Sequence, residues 1–143
     1  MKKILLALLI GTATLAVTSS CTKEYYDVVP SITAVYSRTA SQWGTQITET
    51  KTGKYITRYV DLTVPELSDY YVDQGIVALA ISFDGEKTYN GLPATINGIS
   101  YTYDYTTKSV RIYAQDPILA DVPVNVPDKV FVKVSLTKAD FVQ

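Results

Sequence analysis

Few residues of this chain have side chains that commonly do chemistry in active sites. Among its 143 residues there is one cysteine, Cys21, and no histidine, while Asp and Glu together number 14. Without a histidine to act as base, the chain cannot build a Ser-His or Cys-His nucleophile system. Zinc sites made from His and Cys ligands are excluded for the same reason. The sequence also lacks a Gly-rich phosphate-binding motif.

The acidic side chains are the remaining candidates for chemistry. A pair of carboxylates can hydrolyse a glycosidic bond, but such an enzyme needs a deep cleft, which a small β-sandwich rarely supplies. Three aspartates lie in Pro-containing segments, and these are Asp116, Asp121 and Asp128. Loop carboxylates can bind calcium, yet the DxDxDG-type spacing of calcium loops is missing. We therefore expect a protein that is not an enzyme and binds no metal or cofactor, with solvated loop aspartates.

The chain has twelve tyrosines and one tryptophan, which can stack on sugars or anchor protein contacts. Tyr55 and Tyr59 lie opposite Val60 and Leu62 in an alternating segment, which predicts that both tyrosines face outward. Trp43 lies in a polar stretch where a loop could present it, although packing over a sandwich edge is the alternative. We hypothesise that Tyr55, Tyr59 and Trp43 form a ligand-binding surface.

The amino terminus has the pattern of an export signal. Lys2 and Lys3 precede an apolar run over residues 4–17, and small polar residues follow it. Spanning the hydrocarbon core of a membrane takes about 20 apolar residues, and this run is shorter. A basic start, a short apolar stretch and small residues at the cleavage site are typical of a signal peptide. We therefore predict a signal peptide over residues 1–20.

The segment over residues 17–21, which ends at the single cysteine, resembles a bacterial lipobox. In that family, small residues precede a cysteine that receives a diacylglyceryl group, becomes the first mature residue and is usually N-acylated. The segment departs from the usual pattern at Thr18, where a lipobox normally has a bulky aliphatic residue, but looser boxes are common among Bacteroidota. The alternative is an ordinary secretory signal with an incidental thiol, which would be a liability in an oxidising compartment. The resemblance implies that Cys21 is the lipid attachment site, carrying fatty acids such as palmitate.

Lipid attachment would anchor the domain to a membrane without a spanning helix. Each buried methylene contributes about 0.8 kcal/mol to the free energy of membrane binding. Two or three acyl chains therefore hold a protein stably at the membrane, whereas one chain does not. In some Bacteroidota lipoproteins, acidic residues after the cysteine direct export to the outer leaflet of the outer membrane. Lys23 and Glu24 resemble that signal in part. The resemblance implies a lipoprotein of the cell envelope, at the outer membrane, with the periplasmic and surface sides both left open.

The charge balance excludes some partners. Cleavage before Cys21 would remove two of the 13 basic side chains, so 11 basic groups would face 14 acidic ones, a net charge of about −3. Nucleic-acid binding usually requires a basic face, so we expect no nucleic-acid partner. The same net negative charge argues against binding of anionic lipid through a polybasic segment.

The mature chain divides into a short tether over residues 21–30 and one domain over residues 31–143. Val60 and Leu62 alternate with polar residues, which predicts a half-buried strand. Residues 76–83 form a nearly continuous apolar run, which fits a central strand covered on both faces. Six or seven short strands with frequent turn signals predict an all-β fold, an antiparallel immunoglobulin-like β-sandwich.

Asn97 and Gly98 form the strongest hairpin signal in the sequence. The strand that follows carries Ile99 on one face, and this face is the expected core side. The same face carries three tyrosines that we expect to be packed: Tyr101, Tyr103 and Tyr105.

One helical turn is predicted among the strands. Ser68 can cap a short helix over residues 69–74, and Gly75 suits the left-handed position that ends a helix. We expect Tyr70 or Tyr71 to fold back over one end of the sandwich and close the core.

Several motifs between Asp61 and Leu136 together resemble the C-terminal β-domain of small Bacteroidota lipoproteins, some of which carry collagen-like repeats after the lipidated cysteine. The motifs are Val64-Pro65-Glu66-Leu67, Asp73-Gln74-Gly75-Ile76-Val77, Leu92-Pro93 and the Tyr-rich segment 99–105. This chain lacks the Gly-X-Y repeats, so the resemblance implies no trimerising stalk. It implies a fold and a compartment, and it carries no catalytic signature.

These features favour a non-catalytic, lipid-anchored envelope protein whose sandwich binds or scaffolds an envelope partner, because loops and edges of such folds commonly carry recognition. The alternative is a surface carbohydrate-binding module, which the outward tyrosines suggest. An exposed coplanar aromatic pair would favour a glycan, whereas a large exposed apolar patch would favour a protein partner.

Overall fold

The computed structural model describes residues 31–118 and 121–139, and the structural statements below concern those residues. The predicted signal peptide, the tether and Cys21 lie outside the described residues. The β-sandwich domain can be followed from Ser31 to Ala139, apart from two residues in the loop before the last strand.

The described residues form nine strands and one short α-helix. The strands are β1 (Ile32–Thr39), β2 (Gly44–Thr50), β3 (Gly53–Thr63), β4 (Ile76–Ser82), β5 (Asn90–Gly91), β6 (Ala94–Ile96), β7 (Ile99–Thr106), β8 (Ser109–Gln115) and β9 (Lys129–Thr137). The helix α1 (Asp69–Asp73) lies between β3 and β4, and a 3-10 turn over Ala40–Gln42, which the sequence pattern did not predict, joins β1 to β2.

The strands pair into two antiparallel sheets. One sheet has four strands in the order β1-β9-β4-β5, and the other has five in the order β2-β3-β8-β7-β6. The predicted all-β, antiparallel sandwich with one short helix is confirmed. The first described strand, β1, is an edge strand of the four-stranded sheet.

The core lies between the sheets and follows the period-two pattern. Val60 and Leu62 of β3 are each 1% exposed, as their alternation with polar residues predicts. Alternate residues of β8 and β9 complete the core, and these are Val110, Ile112, Ala114, Val130, Val132, Val134 and Leu136.

The prediction that the apolar run at β4 is covered on both faces is wrong. Val77, Leu79 and Ile81 face the core, but Ile76 is 55% exposed and Ala78 is also exposed. A continuous apolar run is expected when helices or another sheet cover both sides of a strand. In this sandwich the second side of β4 faces outward, so its apolar residues are on the surface.

The hairpin between β6 and β7 has the predicted turn. Asn97 has a φ of 50° and Gly98 a φ of 78°, as a type I′ turn requires. In β7, Tyr101 is 3% exposed, and Tyr103 and Tyr105 pack against the core. The Tyr103 hydroxyl donates a 2.9 Å hydrogen bond to the Val77 carbonyl across the sandwich, so the predicted inward tyrosines are confirmed.

The helical turn forms where predicted, but two details differ. Ser68 is the N-cap residue without a side-chain capping hydrogen bond. Gly75 lacks a left-handed backbone conformation, and a Cβ atom there would lie 2.8 Å from the Tyr71 Cα atom. The glycine therefore permits a close approach to the helix rather than a left-handed cap. Tyr71 is 3% exposed and closes one end of the core.

Candidate functional site

The outward side of the five-stranded sheet carries a cluster of aromatic and charged residues. Strand register brings it together, because Tyr59 lies opposite Tyr113, and Arg111 lies between Asp61 on β3 and Asp104 on β7. Directly paired residues have Cβ atoms about 5 Å apart. We call this surface the tyrosine face and define it by Tyr55, Tyr59, Asp61, Asp104, Arg111 and Tyr113.

Arg111 is the most constrained side chain of the tyrosine face. Its Nε and Nη2 atoms donate hydrogen bonds of 2.6 and 2.8 Å to the two Asp61 carboxylate oxygens. Its guanidinium carbon lies 4.3 Å from the centroid of the Tyr59 ring, a cation–π contact. The bidentate bond lowers the Asp61 pKa and raises the Arg111 pKa, because each charge stabilises the other. The guanidinium is therefore held charged and in one orientation.

A second pair extends the cluster on β7 and β8. The Tyr113 hydroxyl donates a 2.7 Å hydrogen bond to Oδ2 of Asp104. This bond, with partial burial, raises the Tyr113 pKa because the carboxylate stabilises the protonated hydroxyl. The phenol therefore remains a hydrogen-bond donor over a wide pH range.

The tyrosine face contains a shallow depression of about 350 Å³. Its lining includes Asp61, Asp104, Arg111 and Tyr113. An arginine has five N–H donors, and Asp61 takes up two of those of Arg111. The depression thus offers a fixed cation, two carboxylates and an aromatic ring to a ligand from solution.

Tyr55 and Tyr59 both face outward as predicted, but they do not form one stacking platform. They are four residues apart in β3, so their Cα atoms are separated by about 13 Å. Tyr55 lines a different depression, of about 360 Å³, together with Lys54 and Ile118. Arg111 covers the Tyr59 ring. Neither ring stacks on the other, and both side chains are half-buried.

The hypothesis that a loop presents Trp43 to a ligand is wrong. Its side chain is 5% exposed and belongs to the core. Burying the indole gains more hydrophobic free energy than burying the side chain of any adjacent residue in this polar stretch. Arg58 donates hydrogen bonds to the carbonyls of Trp43 and Gly44 at 3.2 and 3.0 Å, which fix the backbone there. The buried indole Nε1 has no hydrogen-bond partner among the described residues.

Sequence reasoning found Tyr59 but missed the charged residues that surround it. Asp61 and Arg111 are 50 positions apart, and only the pairing of β3 with β8 makes them neighbours. The available signal was alternation, since both residues occupy outward positions between buried ones. Alternation identifies the side of a sheet but not the strand neighbour or its register.

The three loop aspartates do not come together. Asp121 forms a 3.5 Å ion pair with Lys54, and Asp116 accepts a 2.9 Å hydrogen bond from the Ile118 amide. The Asp128 carbonyl accepts one of 3.0 Å from the Ala40 amide. Over residues 31–118 and 121–139, no group of three or more metal-ligating side chains is found.

The chain was compared with known proteins. No protein-family model matches it, and no curated protein or solved structure is significantly similar to it. None of the helices in the described part of the chain is long and apolar enough to span a membrane.

Proposed function

We propose that this protein is a non-catalytic lipoprotein of the cell envelope, anchored through Cys21, whose β-sandwich binds an envelope protein through the tyrosine face. The observation that carries the proposal is the fixed Arg111 guanidinium, held by Asp61 at 2.6 and 2.8 Å and by the Tyr59 ring at 4.3 Å. A side chain that is already ordered loses little entropy when it binds.

The residue types of the tyrosine face support a protein partner. Tyrosine and arginine are enriched among the residues that carry most of the energy of protein interfaces. A second tyrosine, Tyr113, lies two positions after Arg111 in β8, and the carboxylate of Asp104 lies beside Arg111 in β7. Aromatic residues and arginine are also enriched in interfaces relative to the rest of the protein surface.

The anchoring part of the proposal rests on the sequence of residues 1–21. Two lysines, an apolar run and the single cysteine after small residues are its support. The resemblance of the folded domain to the β-domain of Bacteroidota lipoproteins is a prediction from the sequence, and it forms part of this proposal.

Affinity capture from envelope fractions tests the binding function. The native lipoprotein and the Arg111→Ala variant are captured after cross-linking, and the partners are identified by mass spectrometry. Lys51→Ala is the matched control, because Lys51 is an exposed basic residue in the β2–β3 turn. We expect a partner that Lys51→Ala retains and Arg111→Ala loses by about tenfold or more. A partner set unaffected by Arg111→Ala would contradict the assignment to this face.

A second function, carbohydrate binding, is favoured by the depression between Asp61, Asp104, Arg111 and Tyr113. Carboxylate oxygens and guanidinium N–H groups suit the alternating donors and acceptors of sugar hydroxyls. A glycan array probed with the wild-type protein and Arg111→Ala separates the two functions. Binding of the wild type alone would favour the glycan over the protein partner.

A further inference from the structure

The outward side of the four-stranded sheet is a second surface that differs from the tyrosine face. It carries two lysines among apolar and hydroxyl side chains, and we call it the lysine face. It is defined by Val35 on β1, Ile76 on β4, Lys129, Phe131 and Lys133 on β9, and Tyr89 in the loop before β5. Register places Lys133 between Val35 and Ala80. Val35 and Ile76 are 43% and 55% exposed.

Two of these residues are lysines that lie over aromatic rings. The Lys133 ammonium is 3.7 Å from the centroid of the Tyr89 ring, and that of Lys129 is 4.7 Å from the Phe131 centroid. Cation–π contacts hold each ammonium close to the sheet. The two charges therefore lie at the level of the exposed apolar side chains and can meet a flat surface together with them.

The described outward strand positions of the four-stranded sheet carry no acidic side chain. In the described strands, no Asp or Glu occupies an outward position on the four-stranded sheet, whereas Asp61 and Asp104 lie outward on the five-stranded sheet. Two carboxylates lie at the margin of the lysine face: Glu86 accepts a 2.9 Å hydrogen bond from the Tyr89 hydroxyl, and Asp84 accepts hydrogen bonds of 3.0 and 2.7 Å from the amide and hydroxyl of Thr88. The net negative charge of the whole chain argued against contact with anionic lipid. The charge of the lysine face is different, because the described outward strand positions there carry lysines and no carboxylates.

The lysine face is also on the sheet that contains the first described strand. Edge strand β1 begins at Ile32, eleven residues after Cys21, so the tether can extend at most about 40 Å. The width of a small domain is about 30 Å. A cysteine embedded in lipid would thus keep the whole domain within reach of the membrane, so the chemistry of each face decides which side rests on it.

We propose that the lysine face rests on the phosphate groups of anionic lipid headgroups, so that the tyrosine face points away from the membrane. The inference rests on the proposed lipid anchor. The acyl chains supply the affinity, and because the anchored domain has a high effective concentration at the surface, weak contacts suffice to orient it. A second copy of the chain is a poorer occupant, because a two-fold contact would bring the same lysines of both copies together.

Headgroup quenching in vesicles tests the orientation. Single cysteines are introduced on the lysine face (Ser37→Cys) and on the opposite side (Thr63→Cys), both at exposed strand positions. The processed lipoprotein is labelled with a maleimide fluorophore and reconstituted with a spin-labelled headgroup lipid. Vesicles contain phosphatidylglycerol with phosphatidylcholine, or phosphatidylcholine alone. We expect strong quenching of the Ser37→Cys label in phosphatidylglycerol vesicles, weak quenching in phosphatidylcholine, and weak quenching of the Thr63→Cys label in both.

Charge reversal provides the matched comparison. Each lysine near an anionic surface changes binding about fivefold, so Lys129→Glu with Lys133→Glu is expected to reduce the docked population at least about tenfold. Lys51→Glu with Lys108→Glu makes the same charge change at exposed turns of the five-stranded sheet and is expected to preserve docking. Circular dichroism verifies that both double variants retain their strands.

Two results would overturn the proposal. Equal quenching at both sites in phosphatidylglycerol vesicles would show that the domain has no preferred orientation. Quenching that depends on protein concentration and accompanies dimers would assign the face to a second copy. Failure of the anchor is recognised separately, because the wild-type chain, whose only cysteine is Cys21, reacts with maleimide only if that thiol is free.

Discussion

The ring of Tyr59 covers Gly44 on the neighbouring edge strand. The two residues are paired in register, and a Cβ atom at Gly44 would lie 2.5 Å from the Tyr59 Cζ atom. An aromatic ring over a glycine in the adjacent strand compensates for the missing side chain and stabilises a sheet edge. With Arg111 at 4.3 Å from its centroid, the ring is a structural element of β2 and β3 as well as part of the tyrosine face.

Tyr59 and Tyr55 are therefore expected to differ in their effect on stability. Tyr59→Ser removes the ring over Gly44 and the cation–π contact with Arg111, so the free energy of unfolding should fall by about 1–2 kcal/mol. Tyr55→Ser, near the end of the β2–β3 hairpin, should cost less than about 0.5 kcal/mol. Urea denaturation of both variants measures the difference. Equal costs would contradict a special role for the Gly44 contact.

Burial of Trp43 yields a second prediction. Trp43→Ala should lower the free energy of unfolding by about 3–5 kcal/mol because it leaves a large cavity in the core. Trp43→Phe keeps an aromatic ring and removes the unpaired indole N–H, so it should cost less than about 2 kcal/mol. Denaturant melts followed by far-ultraviolet circular dichroism compare the two. A small effect of Trp43→Ala would indicate that the indole is not part of the core.

The fold could be predicted to the extent that alternation determines it. The inward positions of β3 and β7 and the turn at Asn97 and Gly98 follow from local patterns, which act within a strand or hairpin. The exposed side of β4 could not be predicted, because a run of apolar residues looks the same whether one or both faces are covered. Trp43 lies between β1 and β2, where the chain passes from one sheet to the other. Its burial depends on that crossing, which a local pattern does not reveal.

The β6–β7 turn gives a third prediction with an internal control. Gly98 has a φ of 78°, which an L side chain adopts at a cost, so Gly98→Ala should lower the free energy of unfolding by about 1 kcal/mol. Gly91 in β5 has no positive φ, and a Cβ atom there would meet nothing within 4 Å. Gly91→Ala should therefore be nearly neutral, and thermal melts of both variants test this contrast.

The bond between Arg111 and Asp61 predicts a pH dependence. Because the Asp61 pKa is lowered in the folded state, the ionised carboxylate stabilises the fold above its unfolded pKa of about 3.9, and this stability is lost as the pH falls through the folded pKa. Arg111→Gln should raise the Asp61 pKa and flatten the dependence. Both side chains are more than a third exposed, so the difference should stay below about 1 kcal/mol.

Denaturant unfolding near pH 7 and near about pH 2.5 measures this linkage, and a carboxylate titration followed by nuclear magnetic resonance assigns it to Asp61. Lys51→Gln, which removes a basic group from the exposed β2–β3 turn, is the control. A pH dependence that Arg111→Gln leaves unchanged would mean that the ion pair forms too weakly in solution to shift the pKa.

The candidate site was less predictable than the fold, because it depends on register between strands. Tyr59 could be assigned to the outward side from its own strand, but its contact with Arg111 requires β3 and β8 to be adjacent. The lysine face depends in the same way on β1, β4 and β9, which are far apart in sequence. Long-range pairing of this kind leaves no local signature in a single sequence.

Cys21 gives the last prediction, which concerns the anchor. The chain has no other cysteine, so Cys21→Ser removes the sole acceptor for a thioether-linked lipid. Without that acceptor, the variant should keep an uncleaved or miscleaved signal peptide. Cells grown with a fatty-acid analogue should label the wild-type protein and not the variant. The Ser20→Ala variant, which retains a small residue before the cysteine, should still be labelled. Equal labelling of the wild type and Cys21→Ser would exclude the lipoprotein assignment.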